Sequence, residues 1–156
     1  MRRVGALTQK VFVVVVVVTL CSCAATTTMM PERADVAAKR FMPPPHKANL
    51  YITRTSSLGF AILYKLYLDG KVAGSIAYDT YLLFEVEPGE HQIAVITEEN
   101  QHALTIDFRD GDIYFIDVIP KFGWLRARAE LKKLSLEEGE KAVMGAKRAE
   151  PLMTSP

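Results

Sequence analysis

Cysteine is nearly absent from this chain: 156 residues hold two, Cys21 and Cys23, both close to the N-terminus. No thiol follows Cys23, so no disulfide can staple anything built from the rest of the chain. A domain there must hold together by its apolar core, which is feasible at this length. Histidine is also scarce, with three in all. Neither Cys-x-x-Cys nor His-Glu-x-x-His occurs, which removes the common zinc signatures, and no metal or cofactor is expected. No charge sign dominates, with 19 basic and 18 acidic residues and no basic stripe, so nucleic acid is an unexpected partner. No apolar run reaches the roughly 20 residues that a helix needs to span a bilayer.

The first acid is Glu32, whereas Arg2, Arg3 and Lys10 make the leader positive. Val11 to Leu20 follows as a ten-residue apolar stretch with six consecutive valines, Val13 to Val18. This is the order of a secretory n-region and h-region. The stretch closes on Leu20-Cys21-Ser22-Cys23, which resembles the lipobox of bacterial lipoproteins: an aliphatic residue, a small residue before the cut, and an obligatory cysteine after it. The resemblance implies cleavage between Ser22 and Cys23 and a diacylglyceryl thioether on Cys23. Cys21 fits poorly, because Leu20 would then precede the cut. Residues 1–22 are therefore expected to be a signal peptide, and membrane attachment is expected through lipid on Cys23. Two or three acyl chains, each methylene contributing about 0.8 kcal/mol, make a stable anchor where one chain does not. Ala24 is not aspartate, which by the enteric sorting rule points to the outer membrane, facing the periplasm. Without Arg2, Arg3 and Lys10 the basic count falls to 16 against 18 acids, a net charge near −2.

Residues 23–46 read as a lipidated flexible tether: Thr26-Thr27-Thr28, a short helix within Pro31 to Phe41, then Pro43-Pro44-Pro45 in extended geometry. Such a chain spans about 25–30 Å root-mean-square and would lift a domain off the bilayer.

From Ala48 the texture becomes β-rich. Leu50–Thr53, Ile62–Leu68, Lys71–Ile76, Tyr81–Val86, Gln92–Thr97, Ala103–Phe108, Ile113–Ile119 and Trp124–Leu131 are short strand-like runs. Turn signals separate them at about 8–12-residue intervals. The expectation is an all-β domain over 47–134, a small antiparallel sandwich of about seven to eight strands, immunoglobulin-like or prealbumin-like, built as a meander. Asp69-Gly70 demands positive φ at both positions, a type I′ hairpin that sets Leu68 opposite Lys71 and Tyr67 opposite Val72. Pro88-Gly89 suits the centre of a type II turn, and Arg109-Asp110-Gly111-Asp112 is a third turn. A turn at Glu99-Asn100 pairs His91 with Phe108 and His102 with Thr97. Ser135 and Glu138 form a capping box opening a short helix over 136–148, and the remainder of 135–156 is expected to be disordered.

Catalysis has little to build on. Placed on one hairpin, His91 and His102 fall about 20 Å apart along the ladder, too far to share a ligand. Ser75, Asp79 and His91 lack a nucleophile elbow. Asp107 points outward, whereas Asp117 shares a face with Phe115 and requires a partner, for which Arg126 or Arg128 is available. Aromatics are more plentiful: Tyr51, Tyr64, Tyr67, Tyr78, Tyr81, Tyr114 and Trp124 lie in or beside strands. Tyr67, Tyr81, Phe122 and Trp124 are the candidate partner or ligand surface, with Lys121-Phe122-Gly123-Trp124 as an exposed aromatic loop.

The order of motifs carries a family resemblance. Ala48-Asn49-Leu50-Tyr51-Ile52-Thr53-Arg54 leads to Tyr67-Leu68-Asp69-Gly70-Lys71-Val72-Ala73-Gly74, then Thr80-Tyr81, then Glu87-Pro88-Gly89-Glu90-His91. Over roughly residues 47–119 this resembles bacterial lipoproteins carrying domain of unknown function 2846, which are similar to PEGA-type surface domains. The resemblance implies a β-sandwich in the cell envelope and no catalytic residues. The expected role is non-enzymatic binding of an envelope protein or cell-wall partner, with strand addition at a free sheet edge as one route. A glycan- or small-ligand-binding module using exposed aromatics is the alternative.

Overall fold

A computed structural model describes residues 27–153. The expected signal peptide and the expected Ser22–Cys23 cleavage and lipidation site lie outside the described residues, as do residues 154–156. Among the described residues no helix is long and apolar enough to cross a membrane.

The elements are α1 (Glu32–Ala38), β1 (Ala48–Arg54), β2 (Tyr64–Leu68), β3 (Lys71–Ile76), β4 (Thr80–Val86), β5 (Gly89–Ile96), β6 (Gln101–Phe108), β7 (Ile113–Phe122), β8 (Ala127–Lys133), α2 (Leu136–Gly145) and β9 (Lys147–Arg148). They form two sheets, one of order β8-β7-β1-β4-β9 and one of order β3-β2-β5-β6. The chain is all-β with short helices, as its patterning indicates. The meander is not what forms, because the chain passes between the sheets four times, after β1, β3, β4 and β6. The return at Arg109–Asp112 lays β7 parallel to β1, and the segment after α2 lays β9 parallel to β4.

Between the sheets lies one apolar core containing Leu50, Ile52, Leu82, Phe84, Ile116 and Val118 from the first sheet and Leu66, Leu68, Ile76, Ile93, Val95 and Phe108 from the second. Strand alternation turns the odd-numbered residues of β1, β4 and β7 to the opposite face. There Tyr51, Tyr81, Leu83 and Phe115 pack under Ala38, Val143 and Ala146 of the α1 and α2 regions. Every residue of β1 is buried, because both faces of that central strand are covered. A third, helical layer thus sits on what a two-layer sandwich would leave to solvent. Gly139 of α2 permits this approach, since a Cβ there would fall 2.0 Å from Phe115 Cγ. The Tyr51 and Phe115 rings stack at 5.2 Å, and Phe41 meets both edge-on. Burial pushes the Tyr51 phenol up to about 12, so it stays a neutral donor, to Ala38 O at 2.7 Å.

Local turn chemistry operates as expected at Asp69-Gly70, with φ of 50° and 75° and the register Leu68 to Lys71, Tyr67 to Val72. Gly89 and Gly111 also take positive φ. The β5–β6 turn falls one residue earlier than its sequence suggests, on Glu98-Glu99. Thr97 N–H donates to Asn100 O at 2.8 Å, which places Ile96 opposite Gln101, His91 opposite Ile106 and His102 opposite Val95. The Ser135–Glu138 capping box forms with both of its hydrogen bonds.

Two segments expected to be loose are docked. The stretch read as a flexible tether is part of the domain from Thr28 onward: Met29 bridges Ala149, Met30 N–H donates to Arg148 O at 3.0 Å, and α1 packs over Tyr51 and Tyr81. The tail read as disordered continues past β9, with Ala149 N–H donating to Tyr81 O and Leu152 N–H to Ala73 O, both at 2.8 Å. Each segment supplies the strand-like neighbour that the other lacks.

Candidate functional site

The most unusual surface is at the end of the sandwich where β1 and β7 finish. Phe122, Trp124 and Leu125, in and beside the β7–β8 connection, are 85%, 92% and 83% exposed. The connection is nevertheless hydrogen-bonded from beneath. The Glu99 carboxylate accepts from three successive backbone N–H groups, Trp124 at 2.8 Å and Leu125 and Arg126 at 2.6 Å each. The Leu125 N–H, with those of Arg126 and Trp124, outweighs the opposing effect of burial and holds the Glu99 carboxyl below its usual range. Gly123 is required here, since a Cβ would lie 2.0 Å from Arg126 O and 2.2 Å from Glu99 Oε2. With the backbone donors turned inward, the apolar side chains are left facing out.

A second wall comes from the β1–β2 connection. Arg54 is fully buried at the end of β1, and its guanidinium donates to the carbonyls of Leu58, Gly59 and Ile62 while lying 4.8 Å from the centre of the Tyr64 ring. Backbone oxygens, not a carboxylate, solvate this charge, so the loop is shaped around the arginine. Burial lowers the Arg54 pKa, against the opposing effect of Tyr64 and Asp117. The loop so formed presents Leu58, Phe60, Ile62 and Leu63, each 37–56% exposed. Between the two walls lies a depression of about 280 Å³, lined by Leu58, Ile62, Tyr64, Phe122, Trp124 and Leu125. A neighbouring hollow of about 460 Å³ continues along Leu63, Lys65, Tyr67, Ile96 and Arg126.

Of the four candidate surface residues, Phe122 and Trp124 meet at the first depression and half-buried Tyr67 lines the second. Tyr81 is corrected: it is fully buried beneath the helical layer, donating to Asp35 Oδ1 at 2.7 Å. The aliphatic half of the surface was not legible in advance. Ile62 and Leu63 read as the start of a strand, but β2 begins at Tyr64 and leaves them in the loop. The one available signal was Leu58-Gly59-Phe60-Ala61-Ile62-Leu63, an apolar run too continuous for a half-exposed strand.

Other candidates have structural partners. Asp117 is met by Thr53 Oγ1 and Thr55 Oγ1, both at 3.0 Å, and by Thr55 N–H at 3.2 Å, so Arg126 and Arg128 are not its partners. His91 lies at the opposite end of the sandwich, its Nδ1 2.6 Å from Asp69 Oδ2 and its Nε2 3.1 Å from Glu87 O. His102 Nδ1 accepts from Leu131 N–H at 3.2 Å, which puts the proton of a neutral ring on Nε2. Asn100 engages both the N–H and the carbonyl of Ala129. These side chains occupy the outward backbone groups of Ala129 and Leu131 on β8, and Met29–Met30 runs along the continuation of β9. Among the described residues no group of three potential metal ligands converges.

Comparison with known proteins gives kinship without an activity. An uncharacterized protein of Haemophilus influenzae (strain ATCC 51907 / DSM 11121 / KW20 / Rd) is 39% identical over 108 residues, covering 68% of this chain and 64% of the relative's own length. The chain thus matches just under two thirds of that relative. The family profile "protein of unknown function (DUF2846)" matches residues 44–129, a span that holds β1 to β7, the start of β8 and both loops of the apolar end. More than half of the sequence lies within that match, and the chain belongs to the DUF2846 family.

Proposed function

We propose that this chain is a cell-envelope lipoprotein, acylated on Cys23 and held at the outer membrane facing the periplasm, that binds a protein partner through the apolar end of its sandwich. No catalytic role is assigned to it. The observation that supports the reading is the pinned loop carrying Phe122, Trp124 and Leu125 almost wholly in solvent. Large apolar side chains grouped on a surface and rimmed by charge mark interaction sites. The rim here is the Arg126–Glu98 and Lys121–Glu130 ion pairs. Pinning the loop through Glu99 reduces the entropy lost on binding. A protein segment suits the surface better than a glycan does, because Leu58, Ile62, Leu63 and Leu125 surround the aromatics where a sugar would need hydrogen-bonding groups.

The test is photo-crosslinking from position 121 in the intact envelope followed by mass spectrometry. A discrete protein adduct that disappears with Trp124→Ala supports the proposal. Crosslinks to peptidoglycan alone, lost in the same variant, would replace it with the glycan reading.

A further inference from the structure

Thr28 is already docked to Glu150, whose N–H donates to Thr28 O at 2.8 Å. Resting on the reading of Cys23 as the lipidated residue, only four peptide steps separate the anchor from Thr27. Four residues reach at most about 14 Å even fully extended. The domain therefore cannot float above the bilayer on a tether of some twenty residues. It is held against the surface by the edge from which Thr27 emerges.

The topology identifies that edge. Residues 28–30 lie beyond β9, at one side of the five-stranded sheet, whereas the Phe122–Leu125 loop joins β7 to β8 at the other side. With strands about 4.8 Å apart, the two edges are separated by roughly 20–25 Å. The edge near the anchor carries the exposed apolar side chains Leu152 and Met29, beside Thr27, Thr28 and Pro151. We infer that the surface formed by Met29, Thr27–Thr28 and Pro151–Leu152 rests on the lipid headgroups, and that the aromatic loop is displayed on the side away from the bilayer. The loop then serves a partner in the periplasm and does not dip into the membrane.

Trp124 is the single tryptophan of the chain, so its emission reports on that loop alone. The acylated protein is reconstituted in phosphatidylethanolamine–phosphatidylglycerol vesicles carrying spin-labelled lipids, and N-terminal acylation is verified by mass spectrometry. A second preparation carries Leu152→Cys labelled with an environment-sensitive dye. The expected result is strong quenching of the dye at 152 and unchanged Trp124 emission. Inserting a long Gly-Ser segment after Ala25 should abolish quenching at 152 while leaving acylation intact. Quenching of Trp124 in acylated protein, or its absence at 152 with the native spacing, overturns the orientation and leaves the Cys23 reading standing. Absence of acylation overturns both.

Discussion

Tyr81 Oη donates to Asp35 Oδ1 at 2.7 Å, joining β4 of the five-stranded sheet to a helix residue 46 positions earlier in the chain. The same carboxylate accepts from Arg148 N–H at 3.1 Å and, through its other oxygen, from Lys39 Nζ at 2.8 Å. One acid therefore holds α1, β4 and β9 together. Tyr81→Phe removes one donor to this ionised acceptor and should cost about 1.5–3 kcal/mol, the range for hydrogen bonds to charged groups. The loss should be read by chemical denaturation, with faster amide exchange across residues 28–40 than across β5 and β6. Equal protection in both regions would show that α1 is not held by this bond.

Acid should act on the same junction. Burial alone would raise the Asp35 pKa, but hydrogen bonds from Lys39 and Tyr81, the Lys39 charge and the Arg148 N–H overcome it, leaving the value below normal. A lowered folded-state pKa means that the stabilisation is complete above the unfolded carboxylate value of about 3.9 and is lost as pH falls through the folded value. Protection factors of residues 28–40, taken against the intrinsic exchange rate at each pH, should fall on acidification in the wild type. The fall should be smaller in Asp35→Asn, whose protection is already reduced at neutral pH.

Glu99 and the aromatic loop make a separate case. Glu99→Ala leaves three loop N–H groups without their acceptor. The expected outcome is faster exchange at residues 124–126, lower Trp124 fluorescence anisotropy and loss of the partner crosslink, with little change in overall stability because the site is at the surface. Unchanged anisotropy would show that the loop's order does not depend on the carboxylate.

Gly139 reverses the usual preference of helices. Intrinsic propensity favours alanine over glycine inside a helix by about 1 kcal/mol. A Cβ at this position would meet the Phe115 ring at 2.0–2.5 Å, and overpacking of that kind typically costs about 1–3 kcal/mol. Gly139→Ala should therefore destabilise the domain, whereas Gly145→Ala, with open space around it, should not suffer this clash. Equal midpoints for the two variants in denaturant would refute the close packing of α2 on Phe115.

What the sequence by itself determined was local or periodic. Asp69-Gly70 forms its hairpin because two neighbouring residues need positive φ, and the Ser135–Glu138 box caps α2 because its partners are three residues apart. Alternation along β1 and β4 likewise shows which residues share a face. It does not show what covers that face, and there the tertiary structure decided. Tyr81 alternates as a surface tyrosine would, yet it is buried because α1 and β9 arrive from opposite ends of the chain. Arg54 follows a buried strand with no acid beside it, and only the fold of residues 58–62 supplies the carbonyls that solvate it. Asp117 takes Thr53 and Thr55 as partners because the crossover at Arg109–Asp112 lays β7 parallel to β1. Each of these outcomes depends on contacts between residues distant in sequence, which no local preference or hydrophobic period encodes.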